Sequence, residues 1–362
     1  MDLALYHPLG YYATGNERVG WRGDFVTAPE IDPAFGELWG RGFEDIWDRC
    51  GKPDPFHVIE IGPGSGSFAA AVLESTSGRF ASALAYHLVE REPAAAQRQR
   101  ALLGGFPRVH WHASVDDVSH VRDGCWFANE VIDNLPIRLV ERRNGKFREL
   151  LVDVDGGSLV WSIAPETSSD VDDYFSRLGC ELPEGHRAEI GLEAMALVAA
   201  AGSRLDRGAV IVVDYGDTAS GLAGRPGGSL LCYSHAGVDD RPLENPGSKD
   251  ITVHANWDAL GATLEMAGYE VAGPVPQAQV LRRLGLGRIE AALKDEGRRG
   301  RGREVVRALS RRGAISSLVD PSGMGGFGVL VGSKGCEPPG FVGDEPSLLS
   351  RSPKRRPIAQ RR

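Results

Sequence analysis

A chain of 362 residues, 42% hydrophobic, 25% charged and with a mean hydropathy of −0.22, has room for one large globular domain with an insertion, or for two domains. The formal charge is −8, but residues 346–362 hold six basic residues and no acid, which leaves 35 basic against 49 acidic residues in the rest. That acidic body argues against nucleic acid as a partner, no apolar run nears the roughly 18 residues that span a bilayer, and five scattered cysteines without a C-x-x-C pair exclude a disulfide scaffold and structural zinc.

The first residues, Met1 to Tyr6, show neither the basic-then-apolar plan of a signal peptide nor the arginine-rich character of a transit peptide, so a reducing cytoplasm is expected. Residues 1–50 are rich in aromatics and turn formers and predict a cap over the sheet edge. Within them a helix is expected over 33–49, with Phe35, Leu38, Trp39, Phe43 and Ile46 on one face. Strands near 57–61, 86–90, 109–112 and 125–129 alternate with helical stretches, the rhythm of a parallel sheet with helices on both faces. The rhythm breaks over 137–187, read as an insertion. Its first half is a hairpin about Asn144-Gly145, a pair suited to a type I′ turn, and 165–186 reads as loop-rich. A helix is expected over 188–205, with Ile190, Ala194, Leu197, Val198 and Ala201 on one stripe, then a buried strand over 209–213. Residues 217–255 form a long Gly- and Pro-rich segment. A helix near 256–267 and strands near 269–273 and 327–332 complete one large domain of residues 51–335. Residues 336–362 read as a basic, disordered tail.

The stretch joining the first strand to its helix carries the most information. Its glycines, Gly62, Gly64 and Gly66, fall as G-x-G-x-G. The dinucleotide fingerprint is G-x-G-x-x-G, and no Walker lysine follows. With Glu60 ahead of it the pattern resembles motif I of S-adenosylmethionine (SAM) methyltransferases. The second strand ends in Glu90, where acids of nucleotide-binding sheets accept hydrogen bonds from ribose hydroxyls. Its spacing suits NAD as well as SAM, and capping of the following helix is the alternative to this ribose-binding reading.

Ligands of open parallel sheets sit beyond the carboxyl ends of the strands. That directs attention to Glu90, to Ala113 and Ser114, to Asn129, Glu130 and Asp133, and to Asp214, Tyr215 and Gly216. Two carboxylates after the fourth strand suit a cationic nucleophile, above all a guanidinium, which presents paired N–H donors. Helix capping by Asp133 and a solvated Glu130 explain the same residues, and chemistry alone leaves both readings open. His110 and His112 share a strand face, but no third metal ligand is evident from the sequence, and packing is the reading adopted.

Six ordered motifs carry a resemblance: Leu5-Tyr-His-Pro-Leu-Gly-Tyr-Tyr12, Gly23-Asp-Phe-Val-Thr-Ala-Pro-Glu-Ile31, Glu60-Ile-Gly-Pro-Gly-Ser-Gly66, Asn129-Glu-Val-Ile-Asp-Asn-Leu-Pro136, Asp214-Tyr-Gly216 and Asp250-Ile-Thr-Val-His254. Together, over about residues 3–333, they resemble the MidA family of class I SAM-dependent methyltransferases. The resemblance implies an α/β fold with a Rossmann-like seven-stranded sheet, an N-terminal cap and a hairpin/helical insertion. It implies SAM as cofactor with S-adenosylhomocysteine as product, and symmetric dimethylation of an arginine in a respiratory complex I-type subunit. The cofactor is expected on Glu60, Gly62, Pro63, Gly64, Ser65, Gly66, Glu90, Ser114 and Asn129. Catalysis is expected from Glu130 and Asp133, with Asp24, Thr27, Pro29 and Glu30 supplied by the cap and no metal. The N-terminus suggests a bacterial-type member. A protein substrate is expected, with no nucleic acid and no membrane span, and a homodimer is left open. The alternatives are a SAM-binding assembly factor without turnover, a small-molecule methyltransferase and an NAD-dependent oxidoreductase.

Overall fold

Strand Leu84–Val89 is buried at every position and Phe56–Ile61 at all but one, the mark of strands covered on both faces. The computed structural model describes residues 1–13 and 27–343 and places these two strands inside a seven-stranded sheet. Across the sheet the order is Glu270–Pro276, Gly328–Lys334, Leu205–Asp214, Val121–Asn129, Phe56–Ile61, Leu84–Val89 and Val109–His112. Gly328–Lys334 runs antiparallel to both of its neighbours, and the other pairings are parallel. The chain reverses its direction of growth between Phe56–Ile61 and Val121–Asn129. At such a switch point the loops beyond the strand ends splay apart and leave a crevice for a ligand.

Helix Ala34–Arg49 lies in the core on one sheet face, with Phe35, Leu38, Trp39 and Phe43 fully buried. Phe68 stacks on Phe127 with ring centroids 4.8 Å apart, and Trp39 meets Phe127 at the same separation. Truncating one such ring to alanine costs about 3–5 kcal/mol. The opposite face packs Ile59, Trp126, Val210 and Val212 under helices Leu192–Ser203 and Trp257–Met266. Asp32, 4% exposed, takes two bonds from Arg311, at 2.9 and 2.8 Å, and so ties the N-terminal region to helix Arg303–Leu318.

Between the fourth and fifth strands lies a four-stranded antiparallel sheet, ordered Ser158–Ile163, Lys146–Asp155, Arg138–Arg143, Arg187–Ile190. Asn144 (φ 51°) and Gly145 (φ 71°) turn its hairpin, both in the left-handed region that a type I′ turn needs. Residues 165–186 are loop over more than half their length, as expected, but they also hold helix Ser169–Leu178, whose N-cap Ser168 accepts the Asp170 N–H on its hydroxyl and which buries Val171, Tyr174 and Phe175. One local expectation is corrected here. The helix expected over 188–205 is strand Arg187–Ile190, Gly191, then helix Leu192–Ser203. Ala188 and Ile190 alternate inward because this stretch pairs with Arg138–Arg143.

Residues 217–255 hold helix Ala219–Ala223 and a small sheet of Gly237–Asp239, Leu231–Ser234 and Asp250–Thr252. Helices Gln277–Arg283, Leu286–Arg299 and Arg303–Leu318 have no counterpart in the sequence reading. Their arginines and glycines mask a sparse apolar stripe of Leu286, Ile289 and Leu293. Among the described residues no helix is long and apolar enough to cross a membrane. Of the expected tail, 336–362, residues 336–343 are described and bury Phe341 and Val342 in the core, with Phe341 against Trp39, while residue 344 onward lies outside the described residues.

Candidate active site

The first strand ends at Ile61 and the chain turns through Gly62, Gly64 and Gly66, all at positive φ, into helix Ser67–Ser75. Such a turn aims backbone N–H groups at a ligand. A Cβ on Gly62 would stand 2.8 Å from Val131 Cγ2, whereas one on Gly64 would meet nothing within 4 Å and project into open space. Gln99 Nε2 donates to the Gly64 carbonyl (2.8 Å) and to Glu90 Oε2 (3.0 Å), which fastens the loop to the end of the second strand. Burial pushes the Glu90 carboxyl upward. Glu60 is buried more deeply. Burial raises it to about 8 against the opposing pull of Tyr86 Oη, which donates to Oε2 at 2.8 Å.

Glu130 follows the fourth strand at φ 53°, a conformation that costs a non-glycine residue roughly 1–2 kcal/mol. Its N–H donates to the Val213 carbonyl (2.9 Å), and its Oε1 accepts from the Ala28 N–H (3.2 Å) and Asn129 Nδ2 (3.1 Å). Strain held in place by surrounding contacts is characteristic of functional positions. Asp133 is 4% exposed and receives the Tyr215 hydroxyl on Oδ2. Burial pushes Glu130 up to about 7 and Asp133 to about 6, and the charge of Asp133 adds to the rise at Glu130. Asp214, fully buried, lies beside both. Burial first, then Asp133 and Glu130, raise it well above the ordinary carboxylate range. Three crowded acids of this kind favour a cation as their ligand, because its charge offsets both the burial and the mutual repulsion.

The cap closes one side. Helix Ala28–Ile31 presents the Ala28 N–H to Glu130, and Glu30 Oε1 accepts from Ser65 Oγ (2.5 Å) and Ser67 Oγ (2.7 Å) of the glycine loop. These elements enclose a cavity of about 1180 Å³. Glu60, Gly62, Pro63, Gly64, Ser65, Glu90, Ser114, Asn129, Glu130, Asp133, Thr27, Pro29 and Glu30 all line it. Gly66 does not line it and instead begins the following helix, while Asp24 lies outside the described residues. The open face over Gly64, and the buried Asn129 Oδ1 that has no partner, fit a large polar ligand such as SAM.

The sequence reading singled out Tyr215 only by its place at a strand end and did not assign site roles to Tyr6, Tyr12, Tyr233 or Asp250; all five complete the wall. Tyr6 stacks on Tyr12 (5.7 Å, 18°), and Tyr12 Oη donates to Asp250 Oδ1 (3.0 Å), which also accepts from Asn134 Nδ2 (2.9 Å). The motifs holding Tyr6, Tyr12, Tyr215 and Asp250 were the available signal. Elsewhere, His110 and His112 do acquire histidine neighbours. His87 bonds His57 through Nε2 (2.9 Å) and His112 through Nδ1 (3.0 Å). Opposite ring nitrogens are used, so the rings form a chain, and among the described residues no group of three such side chains is placed to hold a metal ion.

Comparison with known proteins agrees with this geometry. Residues 38–275 match the family model for S-adenosyl-L-methionine-dependent methyltransferases. The protein arginine methyltransferase NDUFAF7 of Danio rerio is 32% identical over 326 residues, which cover 79% of this chain and 72% of the relative. The Drosophila melanogaster homologue is 29% identical over 361 residues, 90% of this chain and 78% of the relative. Among solved structures, a COG1565 superfamily member from Burkholderia thailandensis bound to S-adenosyl-homocysteine superposes with a TM-score of 0.82 at 28% identity. The superposition covers 94% of this chain and 88% of that one. The zebrafish, fly, frog and mouse relatives are all named mitochondrial, and this overturns the cytoplasmic location expected from the N-terminus.

Proposed function

We propose that this chain, which belongs to the MidA family of S-adenosyl-L-methionine-dependent methyltransferases, methylates an arginine side chain of a protein. The observation that carries the proposal is the acidic set at the end of the fourth and fifth strands, half-buried Glu130 with buried Asp133 and Asp214, beside the cofactor loop. The sulfonium of the cofactor supplies an electrophilic methyl group. The chain's own contribution is to bind and orient the acceptor, which can provide much of the rate. Glu130 and Asp133 hold the guanidinium in place. With Glu130 at about 7, its carboxylate is poised to accept the proton that the attacking nitrogen gives up.

The names of the zebrafish and fly relatives support arginine as the acceptor. Family resemblance extends the proposal to a respiratory complex I-type subunit as client and to symmetric dimethylation. The test is incubation of the protein with methyl-labelled SAM and arrayed arginine peptides. Label is expected on arginine, and lysine-for-arginine peptides are expected to stay unlabelled. Label on a small molecule, or SAM binding without any turnover in the presence of client, would overturn the arginine reading.

A further inference from the structure

Asp133 presents an unusual pair of oxygens. Oδ2 is taken by the Tyr215 hydroxyl, while Oδ1 is buried with no partner. A buried acceptor left unpaired is costly and calls for an explanation. The residue lines the cavity, where a donor carried by a ligand would satisfy that oxygen.

The surroundings fix which oxygen is free. Asp214, the last residue of its strand, accepts the Ile132 N–H (3.0 Å) and the Asp133 N–H (3.3 Å) on Oδ2, and the Tyr215 N–H (2.9 Å) on Oδ1. One carboxyl thus pins the backbone of both Asp133 and Tyr215. The Tyr215 ring is held between His254 (centroids 5.2 Å apart, 80°) and Phe327 (5.6 Å, 51°). Its hydroxyl is also bonded by Thr252, from the small sheet. Burial and the neighbouring acids hold the phenol far above its ordinary range, so it remains a proton donor.

We propose that Tyr215 is a positioning residue that locks the Asp133 carboxylate and presents Oδ1 alone to one N–H of the substrate guanidinium. This rests on the arginine reading above. A carboxylate free to turn would offer either oxygen, or both, and hold the cation in several poses. With one oxygen committed to a phenol, a single pose is selected, and the transferable methyl meets one nitrogen.

Tyr215→Phe removes the hydroxyl and keeps the ring, so packing alone leaves it unchanged. SAM affinity by calorimetry should stay within about twofold. A hydrogen bond to a charged group is at stake, so kcat/KM on a wild-type-selected arginine peptide should fall about 10- to 100-fold. The acid limb of its pH profile should move to higher pH, because the Tyr215 bond holds Asp133 down. The other titratable and charged groups near Asp133 are Glu130, Asp214, Asp250, Arg91, Tyr6, Tyr12 and Tyr233, all unaltered in the variant.

Carboxyl NMR of the free protein, with the Asp133 signal assigned by its loss in Asp133→Asn, reads the same shift without turnover. An unshifted Asp133 titration together with unchanged kcat/KM would overturn the proposal. If the wild type labels no arginine peptide, the arginine reading fails, and the NMR titration still decides the role of Tyr215. Should Tyr215→Phe lose its near-UV circular dichroism, Thr252→Val tests the same chain one link back, with a smaller shift in the same direction expected and no shift overturning it.

Discussion

At the scale of single residues the site is defined by acids that are difficult to ionise. Glu130 sits in a strained conformation, half-buried, with one oxygen tied to the cap. Breaking a desolvated charge pair costs about 2–5 kcal/mol. Glu130→Gln should therefore lower single-turnover methylation of an arginine peptide by roughly two to three orders of magnitude, at about 1.4 kcal/mol per tenfold. SAM affinity, measured in parallel, should hardly change. Asp133→Asn should act in the same direction but less strongly, since Tyr215 can still bond the amide oxygen. Full activity in Glu130→Gln would remove this residue from the mechanism.

At the scale of elements, the glycine loop and the cap act as one unit. Gly64→Val places a branched side chain at φ 53°, a true outlier for such a residue, and its Cβ enters the open space of the cavity. Loss of SAM binding with retained circular dichroism is expected, and calorimetry that finds wild-type affinity would refute the assignment of the loop. Glu30 bonds Ser65 and Ser67, and Ala28 bonds Glu130, so a ligand that immobilises the loop should immobilise helix Ala28–Ile31 with it. Lids of this kind exclude water and orient reactants. Amide exchange over 28–31 should slow when SAM or S-adenosylhomocysteine is added, whereas equal exchange rates would count against a lid.

At the scale of the whole molecule, two sets of buried groups set opposing pH dependences. Glu60, Glu130 and Asp133 have folded values raised to about 8, 7 and 6. The folded state then binds more protons than the unfolded one, so stability is lost as pH rises through those values. His87 and His254 are lowered to about 3 and 4, chiefly by burial. Their contribution is present above the unfolded value of about 6.5 and is lost as pH falls toward 3 to 4. The acids lose more between pH 6 and pH 8 than the histidines gain there, so the unliganded protein should melt at a higher temperature near pH 6 than at pH 8. Glu60→Gln should flatten the alkaline side, and a melting temperature that climbs steadily from pH 6 to 8 would show that these acids do not govern it.

The sequence by itself determined the parallel strands, the glycine loop and the Asn144-Gly145 hairpin. Each of these is a local matter: a short buried run, a backbone that needs positive φ, a turn with one fitting residue pair. It also placed Glu130 and Asp133 at a strand end, because strand ends follow from strand positions. Only the tertiary structure decided what those acids touch. Tyr215 and Asp133 are 82 residues apart, Ala28 and Glu130 are 102, and Asn134 and Asp250 are 116. No spacing rule reaches so far, since such pairs are set by which strands become neighbours. The same reason explains Arg187–Ile190, whose apolar alternation became a strand through its pairing with Arg138–Arg143. The arginine-rich helices after residue 277 likewise owe their fold to the core they cover, because their own apolar stripe is too thin to show against so many charges.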